Sequence, residues 1–144
     1  MEDAKPVVLD NGSGDIKIGF GGDDAPRVVV PNLVGWNTQG NIFIAEDAVK
    51  NNENDLLRWP VERGAVSTWE AMENLWQHCL YNLLQVNPGN HPLLIAEAVN
   101  NPKSHKEKMV EIFFEVFQVP SFFTGYCPVY SLAAWGKTTG LVLD

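Results

Sequence analysis

An α/β fold built on a mixed sheet is predicted from two observations. Three short strand-like runs follow one another within residues 7–30, and two segments with helical apolar periodicity come after them, each trailed by a short apolar run. Strands that first meander and then alternate with helices put antiparallel and parallel pairs into one sheet, here of five strands.

Each element has a local cause. Pro6-Val7-Val8-Leu9-Asp10 is stopped by Asn11-Gly12-Ser13-Gly14, and Ile16, Ile18 and Phe20 then alternate with polar or small residues, the pattern of a β-hairpin. A third strand over 27–30 follows the Gly21-Gly22-Asp23-Asp24 turn and ends at Pro31. Residues 32–57 are Asn-rich and less periodic, with an apolar burst at Ile42-Phe43-Ile44 and a helix expected from Glu46. They read as an insertion or small subdomain.

The clearest helix begins after Ser67, expected to cap it with Glu70 completing a capping box. Met72, Leu75, Trp76, Cys79, Leu80 and Leu83 form one continuous apolar stripe on it. Cys79 within that stripe reads as packing rather than chemistry. Leu93-Leu94-Ile95-Ala96 is a buried strand, and Asn101-Pro102 predicts a cap and an N1 proline for a second helix whose core face is Met109, Ile112, Phe113 and Val116. A strand over 121–124, a short helix over 128–135 ended by Gly136, and a last strand starting at Leu141-Val142-Leu143-Asp144 complete the order. That last run echoes Val7-Val8-Leu9-Asp10.

Composition narrows the function. The 144 residues are 45% hydrophobic and 19% charged and include five Trp, so the chain is no disordered or low-complexity polypeptide and is sized for one core. Ten Lys and Arg against eighteen Asp and Glu give a net charge of −8, which disfavours a nucleic-acid surface. Every apolar run falls short of the roughly 20 residues a membrane helix needs, and the acidic Met1-Glu2-Asp3 start is unlike a secretory signal. Cys79 and Cys127 make no disulfide framework and, with His78, His91 and His105, no zinc spacing, which fits a reducing compartment. Asn11-Gly12-Ser13 matches a glycosylation sequon, by chance in a chain read as not exported.

Two places invite a phosphate reading. A strand delivering Asp10 into Asn11-Gly12-Ser13-Gly14 lets backbone N–H groups converge on phosphate oxygens, while the carboxylate holds hydrated Mg²⁺ and Lys17 neutralises charge. Taken alone, the same residues are an ordinary Asn-Gly hairpin turn. Gly136-Lys137-Thr138 looks like the end of a P-loop but fails: Ser131 stands where the motif needs glycine, and a helix precedes it where a strand is required. The run Lys103-Ser104-His105-Lys106-Glu107-Lys108 reads as solvated helix surface.

Several ordered segments carry a resemblance to actin and the actin-related proteins. They are Leu9-Asp10-Asn11-Gly12-Ser13-Gly14 with Lys17 and Gly19-Phe20; Gly22-Asp23-Asp24-Ala25-Pro26-Arg27; Trp59-Pro60-Val61-Glu62-Arg63-Gly64; Trp69-Glu70-Ala71-Met72-Glu73; Asn101-Pro102-Lys103; and Thr138-Thr139-Gly140-Leu141-Val142-Leu143-Asp144. The resemblance implies the N-terminal half of that fold. Residues 1–31 and 60–140 would be a ribonuclease-H-like subdomain, 32–59 a shortened inserted subdomain, and 141–144 the first strand of a second half. It implies ATP or ADP with Mg²⁺, held on this side by Asp10 (through water to the metal), Gly12, Ser13, Gly14 and Lys17, with Asp144 opening a second phosphate loop. The family's water-positioning glutamine corresponds to Cys127, whose thiol is a weak donor and acceptor. Arg63 replaces the histidine of conventional actin, and the 35–42 segment is shorter than the loop the family inserts into the next filament subunit.

The expected function is therefore an actin-like structural or cytoskeletal interaction protein without efficient ATP hydrolysis. Its expected partners are actin, actin-related or actin-binding proteins, with no nucleic acid and no membrane; the expected place is cytoplasm and cytoskeleton, with the nucleus open. The alternative is an actin-related ATPase completed by residues or a chain not present here. A sugar kinase of the wider superfamily is disfavoured by the segments around Trp59 and Trp69.

Overall fold

The computed structural model describes residues 4–50 and 56–143, so the expectations at Met1-Glu2-Asp3 and Asp144 lie outside it. The meander forms as expected from β1 (Val7–Asn11), β2 (Asp15–Phe20) and β3 (Val28–Pro31). Next come β4 (Val34–Trp36), β5 (Ile42–Ile44), a short α1 (Glu46–Lys50) and β6 (Leu56–Arg58), then a two-strand hairpin of β7 (Val61–Glu62) and β8 (Ala65–Val66). Helix α2 (Trp69–Gln77) runs on into a π-helical turn, His78–Leu83, and a 3₁₀ turn at Pro88–Asn90 leads to β9 (Leu93–Glu97). Finally α3 (Lys103–Glu115), β10 (Phe122–Tyr126) and α4 (Cys127–Ala134) follow.

The main sheet has five strands in the order β10-β9-β1-β2-β3. The two hairpin pairings are antiparallel, whereas β9 pairs in parallel with both β1 and β10, so the sheet is mixed as predicted. Alternation sends Val7, Leu9, Ile16, Ile18, Val30, Leu93 and Ile95 to one side, where they join the α2 stripe and α3 in a single core. Phe113 is the hub of that core. Its ring lies 4.7 Å from Trp76, 5.1 Å from Phe122 and 5.4 Å from Phe117.

A separate three-stranded sheet, β5-β4-β6, occupies part of the expected insertion, yet Val34 and Ala45 bury their side chains in the main core. The 37–41 turn at its tip is tight. Asn37 Oδ1 accepts from the N–H groups of Gln39 and Asn41 at 3.0 and 2.9 Å, and Gly40 supplies the left-handed φ of +84° that closes it.

Four local expectations are corrected. Thr68, not Ser67, stands at the N-cap of α2 and makes no side-chain cap bond, so no capping box forms. Ser67 Oγ instead donates to the carbonyls of Trp59 and Pro60 at 3.4 and 3.2 Å, fastening the helix entry to the preceding loop. In α3 the N-cap is Pro102, one residue later than expected, and it has no side chain with which to cap. Val116 is exposed because the helix ends at Glu115 and its 3.6-residue period lapses; Phe117 takes the core position. Residues 141–143 form no strand: no described strand pairs with them, and Leu141 and Leu143 are exposed.

Candidate functional site

The N-terminal hairpin builds the centre of the site. Opposed across β1 and β2, Asp10 and Lys17 share a register pair and project from the face of the sheet away from the core, with Lys17 Nζ 3.3 Å from Asp10 Oδ2. Both side chains are two-fifths to one-half exposed, so the pair contributes little to stability and both groups are available to solvent.

Residues 12–14 link these strands, and distant parts of the chain hold them. Asn32 donates through Nδ2 to the Gly12 carbonyl at 2.7 Å and through its backbone N–H to the Gly14 carbonyl at 2.8 Å. Gly64 N–H donates to Ser13 Oγ at 2.9 Å, which leaves the hydroxyl proton of Ser13 to be given elsewhere. Arg63 and Gly64, with φ of +51° and +78°, are the two central residues of the β7–β8 hairpin, a conformation that suits its twist.

The two glycines of the turn differ. A Cβ at Gly12 would stand 2.7 Å from the Asp15 carbonyl oxygen, so the fold itself requires glycine there. At Gly14 no atom lies within 4 Å of that point and φ is outside the left-handed region, so folding makes no such demand. A bare backbone facing open space suits close approach by a ligand. The side chains of Ser13, Lys17 and Asp10, a hydroxyl, an ammonium and a carboxylate lining one cleft, fit a phosphate group carrying hydrated Mg²⁺.

Asp10, Gly12, Ser13 and Lys17 line one cleft of about 680 Å³ together with Cys127, at the start of α4. Asn11, Arg63, Gly64 and Ser131 add to its polar rim. The structure thus gathers Asp10, Gly12, Ser13 and Lys17, with Gly14 not among the lining residues, and brings Cys127, far away in sequence, to the same cleft. Asp144 lies outside the described residues. Asn32 and Gly64 escaped the sequence reading because their bonds to the turn span 20 and 51 residues; only the Arg63-Gly64 pair, itself a turn signal, hinted at either.

Charge below the cleft is paired. Buried Glu97, at the end of β9, meets Lys106 Nζ at 3.1 Å, so the Lys103–Lys108 run is not wholly solvated surface. Burial, with the neighbouring Cys127 and Glu97, pushes the Tyr130 phenol above its ordinary range. Among the described residues no helix is long and apolar enough to cross a membrane.

A protein-family model described as Actin matches residues 1–144, the whole of the chain.

Proposed function

The chain belongs to the actin family, and from that premise we propose that it is a structural protein acting through protein contacts, carrying one phosphate-facing half of a nucleotide site without efficient ATP hydrolysis. Family members generally bind ATP with Mg²⁺ and other proteins. The observation that carries the reading is Cys127 in the same cleft as Asp10, Ser13 and Lys17, where the resemblance to actin implies a water-positioning glutamine.

A bound Mg-ATP would supply the phosphoryl group to be attacked. Toward it, backbone N–H groups of residues 12–14 and the Ser13 hydroxyl would donate, Lys17 would balance charge, and Asp10 would hold the Mg²⁺ through water. Hydrolysis further needs a group that fixes the attacking water, and a thiol does that poorly beside an amide with a carbonyl and two N–H donors. The tight 37–41 turn supports the same conclusion from another side. With the β5-β4-β6 sheet taken as the shortened inserted subdomain of 32–59, nothing in that turn projects as a filament loop would. Partners would then be actin, actin-related or actin-binding proteins, in the cytoplasm, on the cytoskeleton, or in the nucleus.

Gly14 favours a second reading, that of an actin-related ATPase whose other half-site comes from residues or a chain outside these 144, because its missing side chain answers no need of the fold. Calorimetry with millimolar Mg-ATP, run beside a phosphate-release assay, separates the two. The first reading expects weak or no saturable binding and release at background. Low-micromolar saturation accompanied by turnover would replace it with the second.

A further inference from the structure

A small polar cavity lies beside the candidate turn and shares Asn11 and Gly64 with the cleft. It measures about 10 Å³, the space of one water molecule. Asn11, Glu97, Asn101 and His105 supply its polar lining, drawn from the end of β1, the end of β9, and the start of α3 and the loop before it.

Two of its polar atoms have no protein partner although both are hidden from solvent: Asn11 Oδ1 and His105 Nδ1. Leaving buried groups unpaired is costly, and a cavity of this size with several polar partners is what holds an internal water. We propose that a single water is held between Asn11, Glu97 and His105, and that His105 thereby acts as a positioning residue for the turn.

Hydrogen-bond polarity fixes how the water is bound. Asn11 Oδ1 only accepts, and Glu97, already receiving Lys106 on Oε1, is an acceptor as a carboxylate. A water has two protons, and these two acceptors take both. His105 must then donate from Nδ1 to the water's oxygen, so Nδ1 carries a proton. Trp69 meets this ring edge-on, with centroids 5.4 Å apart and planes at 79°, limiting its rotation. The bridge joins the residue immediately before Gly12 to helix α3, a third tether beside those of Asn32 and Gly64. It depends on the fold alone and holds whether or not nucleotide binds.

Nitrogen NMR and water–protein cross-relaxation on the whole chain test this. The expected result is a proton on Nδ1 of His105 and cross-peaks from a long-lived water to Asn11 and His105. An Nε2-protonated ring without such peaks overturns the proposal, and this needs no variant to fold. The positioning role is read from hydrogen exchange at Asn32 and Gly64, whose amides report the hold on the turn. His105→Leu should speed exchange at both by about fivefold, equivalent to about 1 kcal/mol, and His105→Gln, which keeps an N–H donor, should restore it. Unchanged exchange in His105→Leu, or no recovery in His105→Gln, shows that His105 does not position the turn.

Discussion

The two faces of the five-stranded sheet are made from the same strands and have opposite fates. Toward α2 and α3, Leu9, Ile16, Ile18 and Ile95 are fully buried. On the other face, Asp10 and Lys17 stand among Val29, 52% exposed, and Phe123, 62% exposed. Strand alternation delivers both sets at once, so the residues that stabilise the fold and those that can meet a ligand differ by one position along β1 and β2. The inner face is complete within the described residues. The outer face carries apolar side chains that nothing described covers, and such a surface marks an interface or an aggregation liability.

The sharpest test of that division is at the hub of the inner face. Phe113→Ala removes a ring in contact with three other aromatics and should cost about 3–5 kcal/mol, read as a fall in the urea midpoint. A loss below about 1 kcal/mol would mean that the core is not organised around it.

A smaller contrast lies within the turn. Gly12→Ala forces a methyl against the Asp15 carbonyl oxygen and should destabilise by about 1–3 kcal/mol, the usual range for overpacking. Gly14→Ala meets nothing and should leave the melting curve in place, while weakening whatever phosphate affinity calorimetry finds in the parent. Equal destabilisation by both would show that the two glycines serve only the fold.

Legibility in the sequence followed the same divide between local and distant causes. The hairpin, the α2 stripe and the mixed sheet could be read because alternation and helical period are local consequences of side-chain direction. The cap of α2 has no decisive local signal, because Ser67 and Thr68 are both good cap residues and the choice is made by the carbonyls of Trp59 and Pro60, eight and seven residues before Ser67. Val116 was misplaced because a period says nothing about where a helix stops. In the site, Asp10, Gly12, Ser13, Gly14 and Lys17 are contiguous enough to be read as one unit. The hold of Asn32 and Gly64 on them is tertiary and leaves no local signal.

On the outer face the expected change is in association rather than in stability. Phe123→Ser should shift the folding free energy by no more than about 0.5 kcal/mol, as for most surface changes, yet lower the binding of an apolar dye and the tendency to aggregate. A parent chain that is monomeric, dye-negative and cooperative in its melt would show that the bare face needs no partner.

The smallest effect is chemical and costs the fold nothing. Cys79 sits in the α2 stripe, and burial first, with Glu46 second, pushes its thiol up to about 12, so near neutral pH it is both shielded and protonated. Cys127 is only partly buried and lines the cleft. Thiolate is the reacting form and access limits its rate. Alkylation at mildly basic pH should therefore modify Cys127 in the native chain and reach Cys79 only in denaturant, as counted by intact mass. Millimolar Mg-ATP should slow the native reaction to the extent that nucleotide enters the cleft. Equal native labelling of both cysteines would mean that the inner face opens far more often than its packing allows, and the distinction drawn between the two sides of the sheet would fail.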